Sequence, residues 1–253
     1  MLRPRIIPVL LLKDDVLVKS VRFKNHKYIG DALNAVRLFN DLKVDELIFL
    51  DIEASKRGTI TPIDLIRQIG EEANMPFTVG GGINSLMQIE KLITAGVERV
   101  VISNEAAANP HFIISASKTF GSSTIIVCLD VKKNLLGKEM LFGLNGKVAY
   151  QHNLLDFAKL MEQNGAGELI VQSIDRDGMM NGFEKSLIKR VSDEVSVPVT
   201  ALGGAGSYTH LKEMYDFCKV SGLSSGSTFV YQSEMKGVLI NYPTNYEKDF
   251  IYA

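Results

Sequence analysis

The chain has 253 residues, of which 46% are hydrophobic and 23% charged, and its formal net charge is −1. That length suits one large domain or two ordinary ones and buries a substantial core without disulfide or metal staples. The near-neutral charge excludes an overall basic field for nucleic acid or an anionic membrane, and no apolar run approaches the ~18 residues of a membrane span.

The start, Met1-Leu2-Arg3-Pro4-Arg5, runs directly into apolar sequence and has no small-residue cleavage site, so a cytoplasmic protein is expected. Short apolar runs follow at 6–12, 47–50, 77–79, 100–102, 124–129, 169–171 and 197–202, with a weaker one near Leu223. They are rich in Ile, Val and Leu, as strands buried on both faces of a parallel sheet are. Helix-period segments lie between them. Thr61-Pro62 offers a cap followed by proline, Ser85 caps a segment, and Gly96 closes it. Strands alternating with helices make an α/β fold. Lys13 and Lys19 flank a flexible-looking first loop. Residues 133–150 are polar and glycine-containing, which suggests a small hairpin over one end of the sheet. The last helix looks eroded, leaving an irregular tail over 241–253.

An internal repeat decides between architectures. Glu46-Leu47-Ile48 recurs as Glu168-Leu169-Ile170, and at the same spacing Pro76-Phe77-Thr78-Val79-Gly80-Gly81-Gly82 recurs as Pro198-Val199-Thr200-Ala201-Leu202-Gly203-Gly204. Arg5-Ile6-Ile7 aligns with Thr124-Ile125-Ile126. Two halves of four strand–helix pairs, about 1–120 and 121–240, predict a single (β/α)₈ TIM barrel over 1–253 with a twofold half-barrel repeat. A doubly wound sheet gives no reason for the halves to repeat.

Active sites of such barrels lie at the C-terminal ends of the strands. There the sequence places Gly80-Gly81-Gly82 and Ser103-Asn104. Their repeat partners are Gly203-Gly204 with Gly206, and Gly226-Ser227. Exposed N–H groups at such turns bind anions, so two phosphate sites are expected. One lies near Gly82, Ser103 and Asn104, the other near Asp177, Gly178, Gly204, Gly226 and Ser227. The bland alternative is that the glycines only make tight turns. Asp51, Asp130, Asp175 and Asp177 also end strands. Asp130 follows a run of mostly apolar residues, where desolvation raises a carboxyl pKa and suits acid/base work. For Asp51 and Asp175 a purely structural role is an equal alternative. Lys19 is a candidate catalytic lysine, although lysines in such loops are usually solvated. His26, His111, His152 and His210 have no partners at metal-ligand spacing, so no metal is expected. Cys128 and Cys218 form neither a disulfide framework nor a CxxC site.

Phe49-Leu50-Asp51-Ile52, Pro76-Phe77-Thr78-Val79-Gly80-Gly81-Gly82-Ile83, Ser173-Ile174-Asp175-Arg176-Asp177-Gly178 and Ala201-Leu202-Gly203-Gly204-Ala205-Gly206 resemble the signature segments of the cyclase subunit of imidazole glycerol phosphate synthase, a lyase of histidine biosynthesis. The resemblance spans residues 1 to about 230. It implies a heterodimer in which a glutaminase, a glutamine amidotransferase subunit, docks on the N-terminal face. Ammonia then passes through the barrel to a bisphosphorylated ribonucleotide, where two aspartates close and cleave the ring. No cofactor is implied. Asp130 matches the second aspartate. Leu11 stands where the first belongs, and the repeat agrees, since Leu10-Leu11-Leu12 aligns with Leu129-Asp130-Val131. Asp14 and Asp15 are poor substitutes, because ~1 Å of misplacement can cost ~10²-fold. The resemblance also implies a charged ammonia gate of Arg5, Glu46, Arg99 and Glu168, with arginine at a position usually held by lysine. The expectation is therefore a paralogue that passes ammonia on, for example to a third amidotransferase protein building the acetamidino group of a bacterial surface sugar, as in lipopolysaccharide O-antigen. Ordinary histidine biosynthesis, and a non-catalytic scaffold that activates the glutaminase, are the alternatives.

Overall fold

The computed structural model describes residues 3–134, 136–232 and 237–253. The first strand, β1 (Arg5–Lys13), is followed by a hairpin of β2 (Val16–Val21) and β3 (Lys24–Gly30), and then by α1 (Ala32–Asp41). Next come β4 (Leu47–Asp51), α2 (Ala54–Arg57), α3 (Ile63–Glu72), β5 (Phe77–Gly80), α4 (Leu86–Thr94), β6 (Arg99–Ile102), α5 (Asn104–Ala108) and α6 (His111–Phe120). The second half holds β7 (Ile125–Lys133), the hairpin β8 (Glu139–Gly143) and β9 (Val148–Tyr150), α7 (Leu154–Gln163), β10 (Glu168–Ser173), α8 (Lys185–Glu194), β11 (Val199–Leu202), α9 (Tyr208–Phe217) and β12 (Gly222–Ser225). A two-stranded ribbon, β13 (Tyr231–Gln232) with β14 (Gly237–Val238), and α10 (Asn245–Tyr252) end the chain.

Strands β1, β4, β5, β6, β7, β10, β11 and β12 pair in parallel, and β12 returns to β1, closing an eight-stranded barrel. The two halves share one register. Leu11 pairs with Leu50 as Asp130 pairs with Gln172, and Ile48 pairs with Thr78 as Ile170 pairs with Thr200. Leu11 and Asp130 therefore occupy equivalent levels. Side chains alternate faces along a strand. Ile6, Leu10 and Leu12 join the large core under the helices, whereas Ile7 and Val9 join Ile48, Val101, Ile126, Cys128, Ile170 and Leu202 inside the barrel.

Two expectations are corrected. The first loop is not a flexible connection but the β2–β3 hairpin, whose turn residues Arg22 (φ 52°) and Phe23 (φ 60°) are both left-handed. Asp177 stabilises that conformation by accepting the Arg22 N–H on its backbone carbonyl (2.9 Å) and the Phe23 N–H on its carboxylate (3.2 Å). The 241–253 tail is not irregular either. Thr244 and Glu247 form a reciprocal capping box that starts α10, and the helix packs on α9 through Tyr252 against Tyr215. Among the described residues no helix is long and apolar enough to cross a membrane.

The tail is tied to the bottom of the barrel. The buried Tyr242 hydroxyl donates to the Ile6 carbonyl (2.8 Å) and accepts the Asp45 N–H (3.1 Å), while Asp45 accepts the Ile6 N–H and pairs with Lys248. Tyr242→Phe leaves a buried carbonyl and amide unpaired. It should lower unfolding free energy by about 1–3 kcal/mol, read as a lower urea midpoint with an unchanged slope.

Candidate functional site

The N-terminal ends of four barrel strands carry the charged side chains. Arg5 donates to Glu46 (2.6 Å) and to Glu168 (2.7 Å), and Arg99 donates to the same two carboxylates. Thr78 and Thr200 add hydroxyl bonds to Glu46 and Glu168. The result is a closed ring of alternating charge. Both glutamates are buried while the arginines keep partial exposure, so each buried carboxylate has the partners that burial demands.

At the opposite end the strands open into a mouth flanked by the two hairpins. A cavity of about 230 Å³ is lined by Leu11, Leu50, Val101, Cys128 and Asp130, with Gly82, Ser103 and Asn104 on its wall, and Phe23 and His26 from one hairpin and Leu144 and Asn145 from the other on its rim. A second compartment of about 30 Å³ is lined by Lys19, Asp177, Gly178, Gly204, Gly226 and Ser227. The residues expected to bind anions thus fall into two groups, one per compartment.

Asp130 projects from β7 into the larger cavity. It accepts a hydrogen bond from Ser103 Oγ (2.8 Å), and the Cys128 thiol approaches at 3.5 Å. Burial pushes its carboxyl up to about 6, against the pull of those two hydrogen bonds, and the negative Asp177 adds to the rise. Such a group exchanges protons near neutrality. Leu11 lines the same cavity and supplies no proton-transfer group. Lys19 is not solvated, contrary to what its loop position suggests. It is 5% exposed, and its Nζ donates to the Val9 carbonyl (3.0 Å). Burial draws its pKa down to about 8, with Asp177 partly opposing. Gly226 makes room for it, because a Cβ there would meet Lys19 Nζ at 2.1 Å.

Other expected residues also have structural partners. Asp51 is saturated by the N–H groups of Glu53 and Ala54 and by Arg57 (2.7 Å). Asp175 accepts the Lys133 N–H (2.8 Å). The Asn104 side chain donates to Ser55 Oγ and accepts the Leu144 N–H (2.7 Å), latching the β8–β9 hairpin over the mouth. Asp177 receives Ser20 Oγ (2.7 Å) as well as the hairpin turn. Gly82, Gly178 and Gly204 are required by close backbone neighbours: an added Cβ would come within 1.8 Å of Thr59 O, 2.1 Å of Ser20 O and 2.2 Å of Gly182 O respectively. Sequence reasoning missed Gln172, which lines both compartments. Its signal was present, since it is the one amide in the run Glu168-Leu169-Ile170-Val171-Gln172 and the repeat partner of Leu50.

Residues 5–236 match the family described as histidine biosynthesis protein. A Leptospira borgpetersenii protein provisionally named imidazole glycerol phosphate synthase subunit HisF is 43% identical over 253 residues, covering all of both chains. A Pseudomonas aeruginosa protein, provisionally named as subunit hisF2, is 41% identical over 243 residues, 96% of this chain and 97% of its own. The Streptococcus sanguinis imidazole glycerol phosphate synthase subunit HisF is 35% identical over 231 residues, 91% of this chain and 92% of its own.

The raised Asp130 pKa has a stability signature. The folded chain holds this proton more tightly than the unfolded chain, so native stability is lost as pH rises from about 4 to about 6 and stays lower above that. Asp130→Asn removes the ionisation. It should stabilise the barrel at pH 8 by on the order of 3 kcal/mol, with no gain at pH 4, in paired thermal melts.

Proposed function

Because this chain belongs to the histidine biosynthesis protein family and is similar in sequence to proteins named as imidazole glycerol phosphate synthase subunit HisF, we propose that it delivers ammonia from a glutaminase partner for C–N bond formation without performing the ring closure of histidine synthesis. The observation that carries this reading is the pairing of a complete Arg5–Glu46–Arg99–Glu168 ring at one end with Leu11 beside Asp130 at the other.

The glutaminase docks on the ring face as a heterodimer. The ring and the apolar interior of Ile7, Val9, Ile48, Val101, Ile126 and Ile170 penalise a bare ammonium ion far more than neutral ammonia. Ammonia travelling between them emerges beside Asp130. A phosphorylated small molecule is held at the mouth, its anionic group against Lys19 and the amides of Gly178, Gly204, Gly226 and Ser227, and the rest near Gly82, Ser103 and Asn104. Asp130 stands on that cavity as an acid/base carboxylate, pushed by burial up to about 6. The acceptor we favour is an amidotransferase protein installing an acetamidino group on a bacterial surface sugar. The hisF2 and hisF3 names of relatives in Pseudomonas aeruginosa and Vibrio vulnificus are in keeping with a copy additional to the histidine enzyme.

The second reading, a cyclase of histidine biosynthesis, draws on Asp130 and Lys19 being poised near neutral pH. Complementation separates the two. In a strain lacking its own cyclase subunit, the wild-type chain should not support growth without histidine, since a positioned acid or base is worth ~10²–10⁴-fold. Leu11→Asp should restore at least partial growth. Wild-type growth would replace this reading with the second.

Co-expression with the cognate glutaminase should give a stable complex. Glu168→Leu should leave that complex assembled yet release more glutamine-derived ammonia into bulk solvent, followed by a coupled ammonia assay. Failure to form any complex would end the conduit reading.

A further inference from the structure

The two hairpins that flank the mouth carry charge that neither compartment uses. Residues 16–30 and 131–150 hold 8 of the chain's 28 Lys and Arg but 1 of its 29 Asp and Glu. That one, Glu139, is paired with Arg190. The rest of the chain is therefore net acidic, and the excess of positive charge is confined to the hairpins. Some of these cations have partners. Lys19 is buried, Lys133 pairs with Glu184 (3.5 Å), and the Arg22 guanidinium donates to the Asp175 carbonyl (3.1 Å). Lys24, Lys27, Lys138 and Lys147 are exposed, and among the described residues none of them is in an ion pair. At the neighbouring β1–β2 turn Asp15 and Asp14 are exposed too, and Asp14 faces Arg57 (3.9 Å).

None of the four lysines lines either compartment, so they do not seat a ligand held there. Lysines also keep sheet edges solvated, and β3 and β9 are edge strands. A solvated edge has no use for large apolar side chains, yet they stand among these lysines. Tyr28, 63% exposed, follows Lys27 on β3, and Val148 follows Lys147 at the start of β9. Leu136, 92% exposed, and Leu144 occupy the turns at either end of β8. Apolar groups set among unpaired charges of one sign compose a protein-docking face. A long polyanion reaching past the hairpins would meet the net acidic remainder of the surface, whereas a folded protein can confine its contact to them.

The place of this face in the fold defines the partner. It surrounds the opening at which, in the reading above, ammonia leaves the barrel. A protein that consumes the ammonia has to sit here to keep it from bulk solvent. We propose that the two hairpins are the docking face for the ammonia acceptor, a protein presenting an acidic surface with an apolar centre, which closes the mouth when seated. This rests on the ammonia-delivery reading.

The test uses the full chain in complex with its glutaminase, immobilised and titrated with the acceptor amidotransferase at low and at high salt. Binding should weaken as salt rises. Combined Lys24→Glu, Lys27→Glu, Lys138→Glu and Lys147→Glu, with folding checked by circular dichroism, should weaken it at least about tenfold and remove the salt dependence. Arginine at the same four positions should bind as wild type does. A wild-type complex that binds no acceptor, a charge-reversed complex that binds it undiminished, or a wild-type complex that binds single-stranded DNA more tightly than the acceptor overturns the proposal. Isotopic transfer separates the two levels. If glutamine amide nitrogen reaches the acceptor's product equally well after charge reversal, only the docking face is wrong. If none reaches it with the wild-type chain, the delivery reading falls as well.

Discussion

Strand register decides what every level of this barrel contains. With side chains alternating across each strand and the two halves sharing one register, the inward positions of β1 read Arg5, Ile7, Val9, Leu11, and those of β10 read Glu168, Ile170, Gln172. The levels run from charged to apolar to polar along the axis. A one-residue slip in any strand would turn its inward set toward the helices, leaving Glu168 without Arg5 and Arg99. The ion-paired ring thus locks the register of β1, β4, β6 and β10 at one end while that register sets the mouth at the other. Whatever Leu11 does chemically follows from its being the fourth inward residue of β1.

That position explains why one substitution redefines the mouth. An aspartate at 11 would stand on the same cavity as Asp130 and give it a second carboxylate. Leucine leaves Asp130 with neutral or weakly polar neighbours, Ser103 and Cys128, and burial dominates its pKa. The positive charge that would offset it, Lys19, lies in the smaller compartment across the Leu11–Leu50–Gln172 wall.

The repeat, the strand runs and the (β/α)₈ closure were legible because buried parallel strands have a plain apolar signature. What escaped depended on tertiary partners. Arg22-Phe23 is not an Asn-Gly turn, and its two left-handed residues exist because Asp177, far along the chain, accepts their N–H groups. β3 reads Lys-Asn-His-Lys-Tyr-Ile-Gly and is largely exposed, so it has no core pattern to betray it. The burial of Lys19 needs the missing Cβ of Gly226 opposite. The α10 cap was different. Thr244 and Glu247 stood at capping-box spacing, and the polar, aromatic composition after Pro243 obscured a signal that was there. Asn104 was found as a site residue, but its side chain serves the hairpin latch, because only the structure brings Leu144 to it.

The two hairpins tie these observations to ligand access. One is held by Asp177 through Ser20, Arg22 and Phe23. The other is held by Asn104 on Leu144 and by Asn145 on the Ile52 carbonyl (2.6 Å). Both latch residues stand on the compartments they cover. Lys19 lies within the electrostatic reach of Asp177, and Asn104 is the amide that holds the second hairpin. Compartment lining and hairpin anchoring therefore draw on the same few polar groups, so that loss of Asp177 or Asn104 would alter both the lining and how firmly the mouth is covered.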